Sequence, residues 1–232
     1  MLLSSAYFPP VAWFALAARD FALSPDRVLP SQVQLEACEN YQKQSYRNRC
    51  YILAGDGPQM LQVPVVHGTS SAIRDIRVDY STPWVLRTER ALDTAYEMAA
   101  YYEYYRDELF SLLEVQPATL WELNLTTLRF LLDKMGIACT LEPTTEFASP
   151  GSVADDYRYA IHPKHPDTVL RNLGLERPYY QVFRDRMGGF TPNLSTMDLL
   201  FNEGPDSILW LKALEKPSIT QKTQLSCNKW LG

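Results

Sequence analysis

Residues 1–20 read MLLSSAYFPPVAWFALAARD, and this opening decides how the rest of the chain is organised. Residues 1–7 are apolar or small, as a buried first strand requires. Pro9 and Pro10 force a turn, because proline fixes φ and has no N–H to donate. From Val11 the apolar residues return at helical spacing. A strand, a proline turn and a helix at the start of a chain suit an α/β domain. The segment also resembles a leader peptide, but it has no basic start, the prolines cut its apolar run short, and Arg19 and Asp20 follow. It is expected to stay in the mature protein.

With 232 residues, the chain has room for one sizeable core without staples. The expected organisation is one α/β domain over residues 1–215 with a polar tail over 216–232. The opening strand, proline turn and helix resemble the start of HIGH-type nucleotidylyltransferases, and by that analogy the core is expected to be a Rossmann-like sheet accompanied by a β-hairpin and a helical block, with α+β as the alternative. A net charge of −5 argues against a nucleic-acid polymer as partner. No run of 18 apolar residues exists to cross a membrane. The four cysteines have neither CxxC spacing nor a histidine at ligand spacing, so zinc is not expected and reduced thiols in a cytoplasm are.

The clearest local signal is YRNRCYILAGDGPQMLQVPVVH (46–67), two β-rich runs around a Gly-Asp-Gly-Pro turn. IRDIRVDY (73–80) and YYQVF (179–183) also read as strands. Pro83, Tyr101 and Pro117 introduce three helical stretches, the last stopped by Gly136. Residues 137–147 look extended, and 149–178 have no clear period. LSTMDLLFNEG (194–204) reads as a helix, with Ser195 and Asp198 at capping-box spacing.

In a continuous strand Arg47 and Arg49 would lie on one face, about 6.6 Å apart at the usual rise. Two guanidinium groups so placed suit a diphosphate or a phosphate with a carboxylate. They equally suit a charged, solvated edge strand. His67, at a strand end beside glycine, has the exposure of a general base, or is a hydrogen-bonded turn residue. His162 and His165 in HPKHP read as loop. Asn193, Asp198, Asn202 and Glu203 form a polar set that would line a pocket, although capping and helix termination account for half of it. The tyrosines at 101–105 read as helix surface packing on a core. No GxGxxG, P-loop, GxSxG or HExxH occurs.

Several of these segments together resemble the WbqC-like family of bacterial proteins: YFPPVAWF, YQKQSYRNRCYI, LQVPV, PW, YYEYY, YYQVF and GFTPNLSTMDLLFNEGP, in order from about residue 2 to 206. The resemblance implies association with O-antigen and other surface-polysaccharide gene clusters, and a glycine-transferase or sugar-modifying role. It brings forward Arg47, Asn48, Arg49, Asn193, Asp198 and Asn202. In the transferase it implies, Arg47 and Arg49 would hold an anionic small molecule, Asn48 and Asn193 would orient the acceptor, and Asp198 or His67 would move a proton, with Asn202 and Glu203 of the polar set completing the substrate-binding residues. The cofactor is left open; a nucleotide or nucleotide-activated sugar is the candidate. Two departures stand out. Ser4 and Ser5 replace the Gln-Pro pair of many members, and Thr88 stands where many have a histidine. Two alternatives remain: a non-catalytic adaptor of an envelope-assembly complex, and a HIGH-type nucleotidylyltransferase. The second would place the first helix under phosphates, although Ala12-Trp13 stands where its Gly-His would be.

Overall fold

Leu2–Ser4 forms β1, flanked on both sides, in the computed structural model, which describes residues 1–19, 30–66, 71–165 and 168–212. On one side β1 pairs in parallel with β2 (Ser31–Glu36), which pairs in parallel with β5 (Cys139–Pro143). On its other side, Leu2 exchanges main-chain hydrogen bonds with Asp155 and Tyr157, a parallel bridge at Asp156. Numbered by their order along the chain, these four pieces lie 3-2-1-4 across the sheet. The order matches the first four positions of a doubly wound sheet, the fourth held by a single bridge, and the switch point falls between β1 and the Asp156 segment. The mixed α/β expectation holds, built on a small sheet.

The connection out of β1 contains α1 (Val11–Ala17), every residue of which is buried. Three further helices make the block: α2 (Trp84–Tyr96), α3 (Tyr102–Glu114) and α4 (Leu120–Lys134). Thr119 caps α4 in a full capping box with Glu122. Short helices α5 (Val169–Asn172), α6 (Thr196–Glu203) and α7 (Ser207–Lys212) are the other α-helices among the described residues. The hairpin pairs β3 (Arg49–Ala54) with β4 (Gly57–Gln62) around Gly55 and Asp56.

The proline turn is held from the far end of the chain. Ser195 Oγ donates to Phe8 O (2.9 Å), Thr196 N and Oγ1 donate to Pro9 O (2.8 and 2.9 Å), and Val11 N donates to Leu194 O (2.9 Å). Asn193 Oδ1 accepts from Ala12 N at 2.9 Å, and Trp13 N donates to Pro10 O. The N–H groups that open α1 are therefore taken by protein. The HIGH-type arrangement, which needs them for phosphate, finds no free donor there. Ser195 N also donates to Tyr51 O (2.8 Å), tying the hairpin to the same clamp.

Three sequence expectations change. Residues 73–80 form a 3₁₀ turn (Ile73–Asp75) followed by isolated bridges, because the Ile76 carbonyl and the Val78 N–H bond the entry to α4 rather than a neighbouring strand. YYQVF is not a strand: the Gln181 side-chain amide bonds both main-chain groups of Thr191, taking the place of a ladder. The hairpin begins at Arg49, so strand alternation does not govern Arg47 and Asn48, and both are buried. His67 and the 216–232 tail lie outside the described residues.

Two glycines show how local geometry sets the cost of a side chain. Gly136 stops α4 at φ +64°, and an added Cβ meets nothing within 4 Å. Gly204 ends α6 at φ +56°, where a Cβ would stand 2.5 Å from the Tyr101 ring. Urea unfolding of Gly136→Ala is expected to show a loss of about 1 kcal/mol, the left-handed penalty alone. Gly204→Ala should lose about 3 kcal/mol or more, with overpacking added to backbone strain. Equal losses would contradict the close Gly204–Tyr101 packing.

Candidate functional site at the carboxyl edge of the sheet

All the parallel strands deliver their C-terminal ends to one edge, where two buried ion pairs stand side by side. Glu36 closes β2 fully buried and accepts four hydrogen bonds: from Cys38 N (2.9 Å), Thr144 Oγ1 (2.7 Å), Ala148 N (3.0 Å) and Arg158 Nη1 (2.8 Å). Arg158 gives its Nε and Nη2 to Asp156 (2.9 and 2.6 Å). Three residues beyond Glu36, both oxygens of Glu39 accept from Arg47, through Nε (2.8 Å) and Nη2. Arg47 Nη2 also donates to Ser4 Oγ (2.7 Å), at the end of β1. Asn124 of α4 fixes the main chain here, donating to Arg47 O (2.9 Å) and Ser5 Oγ (3.3 Å). Two-pronged contact and extra hydrogen bonds are what a buried pair needs to offset desolvation.

Two hollows flank this partition. At the switch point a crevice of about 10 Å³ lies among Ser4, Trp13, Tyr46, Arg47, Tyr157 and Arg158, room for one water. Beyond it a pocket of about 400 Å³ opens, walled by Cys38, Glu39, Tyr41, Gln42, Phe147 and Tyr159. That volume suits a small molecule. The Arg158 guanidinium sits 5.2 Å from the Phe147 ring centre and 5.5 Å from that of Tyr159, and both rings remain about half exposed (46% and 47%).

Two guanidinium nitrogens stay uncommitted. Arg47 Nη1 has no hydrogen bond among the described residues, and Arg49 Nε is buried with no partner. Both arginines act on the Tyr41 phenol: burial raises its pKa, and the charges of Arg49 and then Arg47 partly oppose the rise. The arginines therefore do share a neighbourhood, although not the strand face expected of them.

His162 belongs to the same edge, following Ile161, which lines the crevice. Burial lowers its pKa first, with the charges of His165, Arg47 and Lys164 adding to the effect. Its Nδ1 accepts from Lys164 N (3.2 Å), which leaves Nε2 to carry the proton of the neutral ring.

The second predicted set lies elsewhere. Asn193 caps α1. Asp198 is buried and accepts from Tyr96 Oη (2.9 Å), Tyr179 Oη (2.7 Å) and Gln181 Nε2 (2.8 Å). Burial raises its pKa, and the Tyr179, Gln181 and Tyr96 hydrogen bonds oppose the rise. Its side chain does not bond back in a capping box; Ser195 alone caps α6, accepting from Met197 N. Asn202 Nδ2 donates to Asp198 O (2.7 Å), and Glu203 accepts from Tyr180 N (3.0 Å). Asn48 Nδ2 donates to Val63 O (2.9 Å), pinning the hairpin's open end, while its Oδ1 has no partner. The hairpin and the 193–203 segment meet through main chain at Tyr51–Ser195, and their polar side chains take separate partners. Thr88 is buried beside the Tyr7 hydroxyl.

Sequence reasoning missed Glu36, Glu39, Arg158, Phe147 and Tyr159, and read His162 as loop. Two acids following a buried strand, in LEACEN, were a usable signal. Arg158 carried none, because its segment has no period and meets β1 only through the fold.

The model of the WbqC-like protein family matches residues 5–162. That span takes in Glu36, Glu39, Arg47, Arg158 and His162 and ends before Asn193. An uncharacterized protein of Mycobacterium tuberculosis, Rv1507c, is 28% identical over 197 residues, which is 74% of this chain and 84% of its own. No solved structure matches the chain significantly.

Arg47→Met alone should strand the Glu39 carboxylate in the interior and cost about 3–5 kcal/mol in urea unfolding. The double variant Arg47→Met/Glu39→Met should be more stable than the sum of the single losses by about 2 kcal/mol. Simple additivity would mean the two groups do not depend on each other.

Proposed function

The chain belongs to the WbqC-like protein family, and on that premise we propose that it is a group-transfer enzyme acting on an anionic, activated small molecule. The reaction class is glycyl or aminoacyl transfer, or modification of a sugar, in the assembly of a bacterial surface polysaccharide. The observation that carries this reading is the pair of guanidinium nitrogens without a partner among the described residues, Arg47 Nη1 and Arg49 Nε, on two arginines whose charges both reach the phenol of Tyr41, a wall residue of the 400 Å³ pocket at the carboxyl edge of a parallel sheet.

In this reading Arg49 and the free end of Arg47 hold the anion. Glu39 keeps Arg47 aimed and limits the positive charge the site presents. Phe147, Tyr159 and Tyr41 offer ring faces to the body of the substrate. His162 presents Nε2–H to an oxygen on which charge develops; His67 is the second candidate for that role. Asp198 and Asn193 serve the reaction by holding the turn and helix behind the site rather than by touching substrate. A second reading, an adaptor of an envelope-assembly complex, draws on Met98 and Tyr104, each 79% exposed.

Arg49 makes no ion pair among the described residues, so Arg49→Met should leave the unliganded melting temperature within a few degrees. Thermal unfolding with a panel of nucleotide sugars, ATP and amino acids should find a ligand that stabilises the native protein. At about 100 times Kd the gain is about 2.7 kcal/mol. Arg49→Met should remove most of it. An equal response in Arg49→Met would contradict the anion site, and no response to any member of the panel would favour the adaptor.

A further inference from the structure

A groove of about 370 Å³ runs between β4 and the first turns of α2, and it shares no lining residue with the sheet-edge pocket. Its apolar surface comes from Met60, Pro64 and Ala91. Its polar lining joins two donor-only groups, the Arg87 guanidinium and the Trp84 indole, to Thr and Gln side chains that both donate and accept. Trp84 is 4% exposed, and its indole Nε1–H has no partner among the described residues. A buried donor left unmade is costly, and Trp84 is one of the residues that line the groove.

Arg87 lies three residues after Trp84, on the same helix face. It is exposed, and its side chain forms no ion pair or hydrogen bond among the described residues. The sequence explains its isolation: positions three and four away on α2 and its cap hold Pro83, Trp84, Arg90 and Ala91, none of them an acid. The Thr82 and Thr88 side chains and the Gln59 and Gln62 amides complete the rim, and no carboxylate lines the groove. The sheet-edge pocket differs here, because Glu39 forms part of its wall.

We infer that this groove is a second binding site, for a small molecule that carries an oxyanion (carboxylate or phosphate) on an apolar body. The oxyanion accepts from the Arg87 fork and the Trp84 indole, and the apolar body lies along Met60, Pro64 and Ala91. Nothing in this assignment depends on the sheet-edge site. A ligand here would stand in addition to whatever occupies the pocket by Arg49.

The five tryptophans give the full chain five indole N–H signals in a ¹⁵N-correlated spectrum, and that of Trp84 reports the site directly. Benzoate and phenyl phosphate distinguish the two anion sources, and benzamide is the uncharged control, each titrated to about 20 mM at constant ionic strength. The Trp84 indole signal should move with at least one anion and not with benzamide. Arg87→Met, a change at an exposed position, should weaken the response at least tenfold. Arg49→Met should leave it unchanged. The Trp84 signal is assigned by Trp84→Phe, or by sequential assignment should that variant fail to fold. An unmoved Trp84 signal, an equal response to benzamide, or undiminished binding by Arg87→Met would each overturn the assignment.

Discussion

The ion pair between Arg47 and Glu39 is the constraint on which the functional edge depends. Glu39 follows the central strand, Arg47 precedes the hairpin, and Ser4, which shares the Arg47 guanidinium, ends the first strand. Asn124 brings the helical block to the same point through the Arg47 carbonyl. Four parts of the chain that are distant in sequence are thus fixed by one buried guanidinium. Such a pair is weak as a source of stability but exacting in geometry, since a misplaced partner leaves a charge in a poor solvent. The second pair, Glu36 with Arg158, repeats the arrangement one step along and anchors the segment that carries Phe147 and Tyr159.

The fold places this machinery where a parallel sheet offers a crevice. Strand C-terminal ends converge at the switch point, the loops leaving them supply side chains, and buried pairs hold those side chains still. The crevice itself admits only a water, and the wider aromatic pocket beside it has room for a small molecule. That division lets Arg47 be structural through two of its nitrogens and available through the third.

How much of this was legible in the sequence follows from the range of each signal. The first strand, the proline turn, α1 and the hairpin announce themselves in short patterns, and the structure forms them. Pro117 before it and Gly136 after it marked the ends of α4. YYQVF failed because a side-chain amide can satisfy main-chain groups as well as a neighbouring strand can, and composition does not distinguish the two. Arg47 and Arg49 stood out as a pair, but the rule of alternation applied to them assumed a strand that starts two residues later. Asn193 looked like a pocket residue because its true partner, the Ala12 N–H, lies 181 positions away. Glu39 and Arg158 acquire meaning only through such distant contacts.

The central claim is that the uncommitted nitrogens of Arg47 and Arg49 form the anion-holding part of the site. The most direct measurement is a crystal structure with the best stabilising ligand bound. It should show an anionic oxygen within hydrogen-bond distance of Arg49 Nε or Arg47 Nη1, with the ligand body against Phe147, Tyr159 or Tyr41. A ligand seated elsewhere, leaving both nitrogens untouched, would contradict the account.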